Sequence, residues 1–465
     1  MNNANPATAS AVLYKKDVGF MSYLDAWRGI RYRGNPVEKT GTRRRAKRCH
    51  HESMRLRAGK RPANHPTERL ELVEGMRGVA ALYVVLSHFV NIVDPRLLEG
   101  KSSSPQWMQT LMAPFTHGHL AVAAFIVLSG FCLQLSLFNG KDGRIHDFKR
   151  FFQRRAWRIL PAYYACLAIS VAVCIWVTQY QKGLPYSQYV PVTRENLAAH
   201  VLMVHNLSPD WMYKINGVLW SIAIEAQLYV VFPVFVWLLF KLGRIGMVGV
   251  GSLLAFGSLA LFPVATKLYP WYIPLFCIGM AAAHFAYRPN LRVGIQPRIA
   301  SLMLWLFVIG IGVTGTYKSI IPSDMFVGLA VACLVYLGAV APWLRIPGSF
   351  GWHPLIKLGA FSYSLYLMHH PILQVVFVHK PEWVKGDAME MAYCLVVALP
   401  VILVGTWLFS LAFERPFISK KAGKRQTDRV ESYTPVGLPL RTLGPTPTYA
   451  AVVLEERIVP ASSQT

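Results

Sequence analysis

The chain has 465 residues, of which 54% are apolar and only 15% are charged, and its formal net charge is +25. A soluble protein of this length would carry more charged residues, so the composition excludes an ordinary soluble globular protein. The positive charge is concentrated in the first 61 residues and in short loops between apolar runs, which argues against a nucleic-acid-binding surface.

Residues 1–68 form a basic segment that contains the run "TRRRAKR" at 42–48. It has no apolar stretch of the kind found in a signal peptide. A basic run beside a first membrane span orients the protein and binds anionic lipids. We therefore expect a disordered cytoplasmic tail in contact with anionic membrane lipids, and no nucleic acid as a partner. Residues 419–465, which contain Pro and Gly, are predicted as a second disordered cytoplasmic tail.

Residues 69–418 are predicted as one membrane domain of an all-α, polytopic helical membrane protein with about ten transmembrane helices. Apolar runs long enough to cross a bilayer recur throughout this region. Lys and Arg are denser in every second loop, which predicts that both termini are cytoplasmic, in the plasma (inner) membrane if the source is bacterial. The predicted spans are 72–93, 117–138, 158–178, 218–240, 245–263, 270–287, 300–316, 323–342, 355–378 and 388–413.

The cysteines give no sign of a metal site or of disulfides. Six of the seven lie inside predicted spans, and no Cys-x-x-Cys pair occurs. We expect no metal and no resident cofactor.

The first span, "VEGMRGVAALYVVLSHFV" at 73–90, carries Arg77 near its start and His88 near its end. The eleven residue steps from Arg77 to His88 make about three helical turns, so both side chains lie on one face, roughly 16 Å apart. Snorkelling to the cytoplasmic surface is an equal explanation for Arg77. His88 lies deeper, where a titratable side chain indicates a functional role.

Two further spans carry polar residues at helical spacing. "VLWSIAIEAQLYVVFP" at 218–233 places Ser221 and Glu225 four residues apart on one face. "FSYSLYLMHHP" at 361–371 places Tyr366 on a face with His369 and His370.

The predicted topology brings His88, Glu225 and His369 into the outer half of the bilayer. A histidine beside a buried carboxylate is the arrangement used for general-base catalysis. The sequence therefore predicts that His88 acts as the base and that Glu225 orients its ring.

Other polar residues have two interpretations. Arg154, Arg155 and Arg158, in "KRFFQRRAWRILPAYY" at 149–164, suit a phosphorylated ligand, but a positive-inside anchor explains them equally well. Ser129 in "FIVLSGF" favours helix packing over a nucleophile. His119 is interpreted as an interfacial residue without a required function.

At these residues the chain resembles the acyltransferase 3 family of integral-membrane acyltransferases. Five motifs occur in the family's order: "EGMRGVAALYVVLSH", "AAFIVLSGF", "RRAWRILPAYY", "WSIAIEAQLYVVFP" and "YSLYLMHHP". The resemblance covers residues 69–418. The chain departs from the pattern at Glu74, where the family usually has Asp, and at His370, which replaces an aromatic residue. The second departure leaves open whether His369 or His370 faces the site.

The resemblance implies an O-acyltransferase that uses acyl-CoA, most simply acetyl-CoA, as co-substrate. The acceptor would be a hydroxyl of a glycan, a lipid-linked sugar or a small metabolite. It also implies that Arg77, Arg154, Arg155 and Arg158 bind the donor and that Trp220, Ser221, Tyr366 and His369 contribute to the reaction site. No esterase-like domain is evident in the sequence, so we do not expect the acyl group to be handed on to such a domain. Direct transfer to the acceptor is expected, with an acyl-enzyme on a histidine or Ser129 as the alternative.

Two other functional classes stay open. A proton-coupled transporter also has Arg, Glu and His within its spans, although two related halves with broken helices are not evident here. An intramembrane hydrolase using Ser129 and a histidine is the third interpretation.

Overall fold

A computed structural model describes residues 66–138, 143–287, 295–316, 319–341 and 352–419. Nearly all of both predicted tails lies outside these ranges. The described part is helical and contains no β-strand, which confirms the predicted fold class. Its α-helices are α1 (Pro66–Val93), α2 (Gln106–Met112), α3 (His119–Phe138), α4 (Phe148–Trp176), α5 (Arg194–Val201), α6 (Pro209–Met212), α7 (Leu219–Leu261), α8 (Tyr272–Tyr287), α9 (Pro297–Thr316), α10 (Ile320–Val340), α11 (His353–Gly359), α12 (Ser362–Val378), α13 (Asp387–Tyr393), α14 (Leu399–Phe413) and α15 (Arg415–Ser419).

The chain is a multi-pass membrane protein, since seven helices of the described part are long and apolar enough to cross a bilayer. One of them, α7, has 43 residues, about twice the length that one crossing needs. It changes direction at Gly243, where φ is +73°, and so holds two predicted spans in one helix. α8 and α12 have 16 and 17 residues. The predicted number of ten crossings stays a prediction.

Successive membrane-length segments run in opposite directions, which gives the bundle two distinct ends. We call them the arginine end, where α1 and α4 begin, and the His88 end, where both helices finish. The connections 94–118, 177–218, 262–271 and 379–386 lie at the His88 end. The segment 177–218 is the longest of these and includes α5 and α6.

Glycines set the closest helix contacts at two places. A Cβ on Gly359 of α11 would lie 1.9 Å from the Glu74 carbonyl oxygen of α1, and one on Gly78 would lie 2.4 Å from the Leu355 oxygen. Gly130 of α3 and Gly279 of α8 approach each other's helix in the same reciprocal way. Small residues that allow backbone contact are the usual means of packing helices in lipid. These contacts fix α1 and α3, which carry two of the predicted motifs.

α12 lies at the centre of the arrangement and packs against α1, α4 and α14. Buried polar side chains hold it at both halves. Asn216, from the loop before α7, donates to the Leu367 carbonyl oxygen at 3.3 Å. Glu414, at the end of α14, accepts from the backbone nitrogen of Ser364 at 3.3 Å and from the Ser364 hydroxyl. The helix that carries His369 and His370 is thereby held against rotation.

Candidate active site

The site begins with two histidines that α1 and α12 bring together. Nε2 of His369 lies 3.4 Å from Nδ1 of His88, and the ring centroids are 4.9 Å apart. This proximity of His88 and His369 agrees with their predicted depth.

The hydrogen bonds of these rings identify their tautomers. Nδ1 of His88 lies 2.9 Å from the Val84 carbonyl oxygen, and Nδ1 of His369 lies 3.0 Å from that of Leu365. A carbonyl only accepts, so in both neutral rings Nδ1 carries the proton and Nε2 presents a lone pair. Nε2 of His88 has no hydrogen-bond partner among the residues described. His88 thus has the lone pair that a general base requires.

His370 also contacts His88, so the two candidates of α12 do not exclude each other. Its ring centroid lies 5.2 Å from that of His88 and 4.6 Å from that of Tyr189. Tyr189 belongs to the 177–218 segment, and its burial raises the pKa of its hydroxyl above the ordinary value. His369 makes the hydrogen bond to His88, whereas His370 packs edge-on between His88 and Tyr189.

Glu225 has different partners from those expected. Its Oε1 accepts from the hydroxyls of Ser129 and Tyr229, each at 2.5 Å. No hydrogen bond joins Glu225 to His88 in the described part of the chain, so the expectation that Glu225 orients the His88 ring by direct contact is wrong. The physical reason is rotation: equal depth does not fix which neighbour a helix face meets, and this face of α7 meets α3. His88 is oriented by Val84 and His369 instead.

Glu225 lies with Arg77 in the middle of the bundle. Both line a cavity of about 30 Å³, which has room for one or two water molecules. Arg77 Nη1 is 3.8 Å from Glu74 Oε1. The cavity is also lined by Ser129, Ser221 and Tyr366. Gly130 packs on the backbone of α8, but the neighbouring Ser129 is a polar partner of this site and not only a packing residue.

Tyr366 connects the cavity with the histidines. Its hydroxyl is 2.6 Å from the Ser221 hydroxyl, and its ring centroid is 6.0 Å from that of His369. Trp220, next to Ser221 in sequence, points elsewhere: it stacks on Tyr269 with centroids 4.5 Å apart. The structure therefore groups Ser221 and Tyr366 with the cavity and places Trp220 in a separate aromatic cluster.

The arginine end contains buried polar atoms without a protein partner. Arg155 Nη2 donates to Ser136 at 3.4 Å, but its Nε is buried and unpaired among the described residues. One oxygen of Glu74 and both amide atoms of Gln134 are likewise buried and unpaired there. Arg158 is partly buried and Arg154 is exposed. Buried polar atoms normally have partners, so orphaned ones indicate a site that a polar ligand completes.

The sequence interpretation overlooked a histidine–carboxylate pair elsewhere in the bundle. His119 Nδ1 lies 2.7 Å from Asp324 Oδ1, and Trp271 Nε1 donates to Asp324 Oδ2 at 2.8 Å. Asp324 is completely buried. The signal was present, since Asp324 is an acid within a predicted span. Among the described residues no group of three or more His, Cys, Asp or Glu side chains is arranged to hold a metal ion.

Comparisons with known proteins agree with these motifs. The chain is 25% identical over 403 residues to a Staphylococcus aureus protein named "Putative O-acetyltransferase", a match that covers 78% of this chain and 59% of that protein. It is 20% identical over 350 residues to the peptidoglycan O-acetyltransferase of Listeria monocytogenes, covering 68% of this chain and 51% of that protein. The chain thus spans between half and three fifths of these relatives. No solved structure matches it. The family model of the acyltransferase domain matches residues 71–414, and the chain therefore belongs to the acyltransferase 3 family that its motifs resemble.

Proposed function

We propose that the protein transfers an acyl group, most simply acetyl, from acyl-CoA to a hydroxyl of a carbohydrate acceptor, with His88 as the general base. The observation that carries the proposal is the lone pair on His88 Nε2, on a ring held by Val84 and His369. The names of the two relatives support acetyl as the group, and one of them supports a glycan as the acceptor.

The reaction is a single acyl transfer. His88 Nε2 accepts the proton of the acceptor hydroxyl while its oxygen attacks the thioester carbonyl carbon. The carbon–sulfur bond then breaks, and the imidazolium returns the proton to the departing CoA sulfur. As the ring becomes positive, its Nδ1–H bond to His369 becomes charge-assisted and stronger. A positioned base of this kind contributes about 10²- to 10⁴-fold.

The hydroxyls of Ser221 and Tyr366 lie between the histidines and the cavity. We assign them the stabilisation of the negative oxygen that develops on the thioester carbon. Trp220 has no such role in the proposal, because its ring is stacked in the aromatic cluster.

The donor is proposed to bind from the arginine end. Its phosphates would pair with Arg155, Arg158 and the exposed Arg154, and the orphaned Nε of Arg155 supports a ligand there. The pantetheine arm would run past Arg77 to His88, roughly 16 Å along α1. A cavity of 30 Å³ is too small for that arm, so its walls on α1, α3, α7 and α12 must separate to admit it.

The principal test follows the label from acetyl-CoA carrying a radioactive acetyl group, with the protein in lipid nanodiscs and a chitin tetrasaccharide as acceptor. Wild type should release CoA and label the saccharide, and His88→Ala should do neither. His379→Ala is the matched control, since this exposed histidine directly after α12 makes the same bond to a carbonyl four residues earlier. Uptake of a solute by vesicles without CoA release would instead favour a proton-coupled transporter.

The proposed orientation places both termini and the arginine end in the cytoplasm. Reporter fusions at the two ends of the bundle test it directly, because each fusion reads the side on which the preceding predicted span finishes. Fusions after Phe89, Val177 and Phe377 should be outside, and fusions after Phe138, Phe240 and Phe417 inside. The opposite pattern would place the donor site on the wrong side of the membrane for CoA.

A further inference from the structure

A groove of about 740 Å³ opens at the His88 end, apart from the site described above. It lies where three connections meet, before α7, between α7 and α8, and before α10. Its walls include Tyr213, Lys267, Tyr269, Trp271 and Ser319. This volume is within the range of about 300–1,000 Å³ that is typical of ligand sites.

The aromatic side chains of the walls contact one another, and Tyr269 is stacked on Trp220. Tyr269 lies on Trp220 with centroids 4.5 Å apart and is 5.0 Å from Trp271. The hydroxyls of Tyr213 and Tyr269 are 3.3 Å apart. Tyr213 is 37% exposed, so its ring is available to a ligand.

These rings are not arranged as a membrane-interface belt, the usual explanation for Trp and Tyr at this level. Trp271 is only 2% exposed and gives its indole N–H to Asp324, which His119 holds from the other side. Tyr269 has a φ of +55°, a conformation unfavourable for a bulky residue. Local backbone strain of this kind is concentrated at ligand sites.

The rim of the groove is polar. Lys267 is exposed and has no ion-pair partner in the described residues, and Ser319 contributes a half-buried hydroxyl. Flat aromatic faces beside hydrogen-bonding groups suit a molecule with apolar C–H faces and a ring of hydroxyls. The partly positive C–H groups of a pyranose meet the negative face of an aromatic ring favourably.

A chain of packed side chains connects the groove with the reaction site. Trp220, on which Tyr269 stacks, is followed by Ser221, whose hydroxyl is 2.6 Å from that of Tyr366. The Tyr366 ring lies beside His369, which contacts His88. We propose that this groove binds the pyranose acceptor, with a sugar ring stacked on Tyr213 and Tyr269 and its hydroxyls bonded by Lys267 and Ser319. The inference rests on the proposed transfer to a carbohydrate.

A binding measurement tests the groove without requiring transfer. The full chain in nanodiscs is titrated with the tetrasaccharide of β-1,4-linked N-acetylglucosamine, followed by isothermal calorimetry. Wild type should bind it saturably, and Tyr213→Ala should weaken binding roughly 2- to 10-fold, the effect of losing one aromatic contact. Tyr269→Phe should retain most of the affinity, whereas Tyr269→Asn, which tolerates the left-handed conformation, should lose it. Sorbitol, which has hydroxyls but no ring, should not bind.

The matched control is Trp107→Ala, which removes a 58% exposed aromatic side chain from α2 at the same end of the bundle. Equal weakening by Trp107→Ala and Tyr213→Ala, or no saturable binding to wild type, would overturn the inference. The outcome is separable from that of the proposed function. Saccharide binding without acetyl transfer would support the groove as a binding site and refute the proposed transferase function. Transfer with an unchanged KM for saccharide in Tyr213→Ala would refute only the proposal that the groove binds the acceptor.

Discussion

The substitution His369→Phe tests how the proposed base is held. Phenylalanine keeps a ring at the position, 4.9 Å from His88, but removes the nitrogen that lies 3.4 Å from His88 Nδ1. In the reaction that nitrogen would accept from a positively charged imidazolium. A hydrogen bond to a charged group contributes about 1.5–3 kcal/mol. The expected loss in kcat/KM is therefore roughly 10- to 100-fold, with the protein still folded.

The assay is acetyl transfer in nanodiscs, and its sharpest form is a set of double mutants. His369→Phe should cost nothing further in a His88→Ala background, because the partner it stabilises is gone. Glu225→Gln, whose hydrogen bonds go to Ser129 and Tyr229, should combine with His369→Phe so that the two fold-losses multiply.

His379→Phe is the control directly after the same helix, since it removes an equivalent bond to a backbone carbonyl at an exposed position. A His369→Phe variant that folds and transfers at the wild-type rate would refute the histidine pair. Strong non-additivity between positions 225 and 369 would instead show that Glu225 acts through the histidines after all.

Three further outcomes are expected. Arg155→Ala should raise the KM for acetyl-CoA more than Arg154→Ala does, at an unchanged protein level, because the Nε of Arg155 is buried and unpaired among the described residues. Loss of membrane insertion in Arg155→Ala would instead favour a role of this arginine as a positive-inside anchor. Gly359→Ala should lower the melting temperature measured by size-exclusion chromatography after heating, because its Cβ would lie 1.9 Å from a carbonyl oxygen and overpacking costs about 1–3 kcal/mol. Gly257→Ala is the control and should not lower it, since a Cβ there has nothing within 4 Å. Burial, together with the charge of His200, lowers the pKa of His205 to about 3. Between pH 6.5 and about 3 the unfolded chain alone binds this proton, so His205 should lower stability by about 1.4 kcal/mol per pH unit as the pH falls. Melting experiments on His205→Phe should show a slope that is smaller by this amount.

The sequence was sufficient for the parts of the fold that depend on composition and order. Apolar runs predict membrane helices because an α-helix makes its backbone hydrogen bonds within one segment, as lipid requires. Each predicted span coincides with helix in the described residues. The position of His88 near one end of α1 and of His369 in α12 also follows from counting residues along helices. The sequence could thus predict the common depth of His88 and His369, but not their contact at 3.4 Å.

The sequence could not predict which residues of different helices contact each other, for a physical reason. Adjacent residues in a helix point about 100° apart, so a small rotation changes every neighbour. Glu225 and Ser129 are 96 residues apart, and His119 and Asp324 are 205 apart. Depth arguments place such residues in a layer of the membrane but do not choose among the partners within it. The histidine–carboxylate pair expected at His88 exists instead at His119.

The proposed donor and acceptor sites lie at opposite ends of the bundle, and a small central cavity suits this arrangement. On the proposed function, the donor enters at the arginine end and the acceptor at the groove, so the site must connect two aqueous sides without leaving a pore. A cavity of 30 Å³ lined by Arg77 and Glu225 is closed to CoA and to hydrated ions. Excluding bulk water also protects a thioester from hydrolysis beside a basic histidine. Tyr366 lies between the cavity and the histidines. Its hydroxyl is hydrogen-bonded to Ser221, and its ring packs on His369. On this proposal, donor binding moves Tyr366 and acceptor binding alone does not, so acyl-CoA opens the site and the waiting sugar hydroxyl meets it at His88.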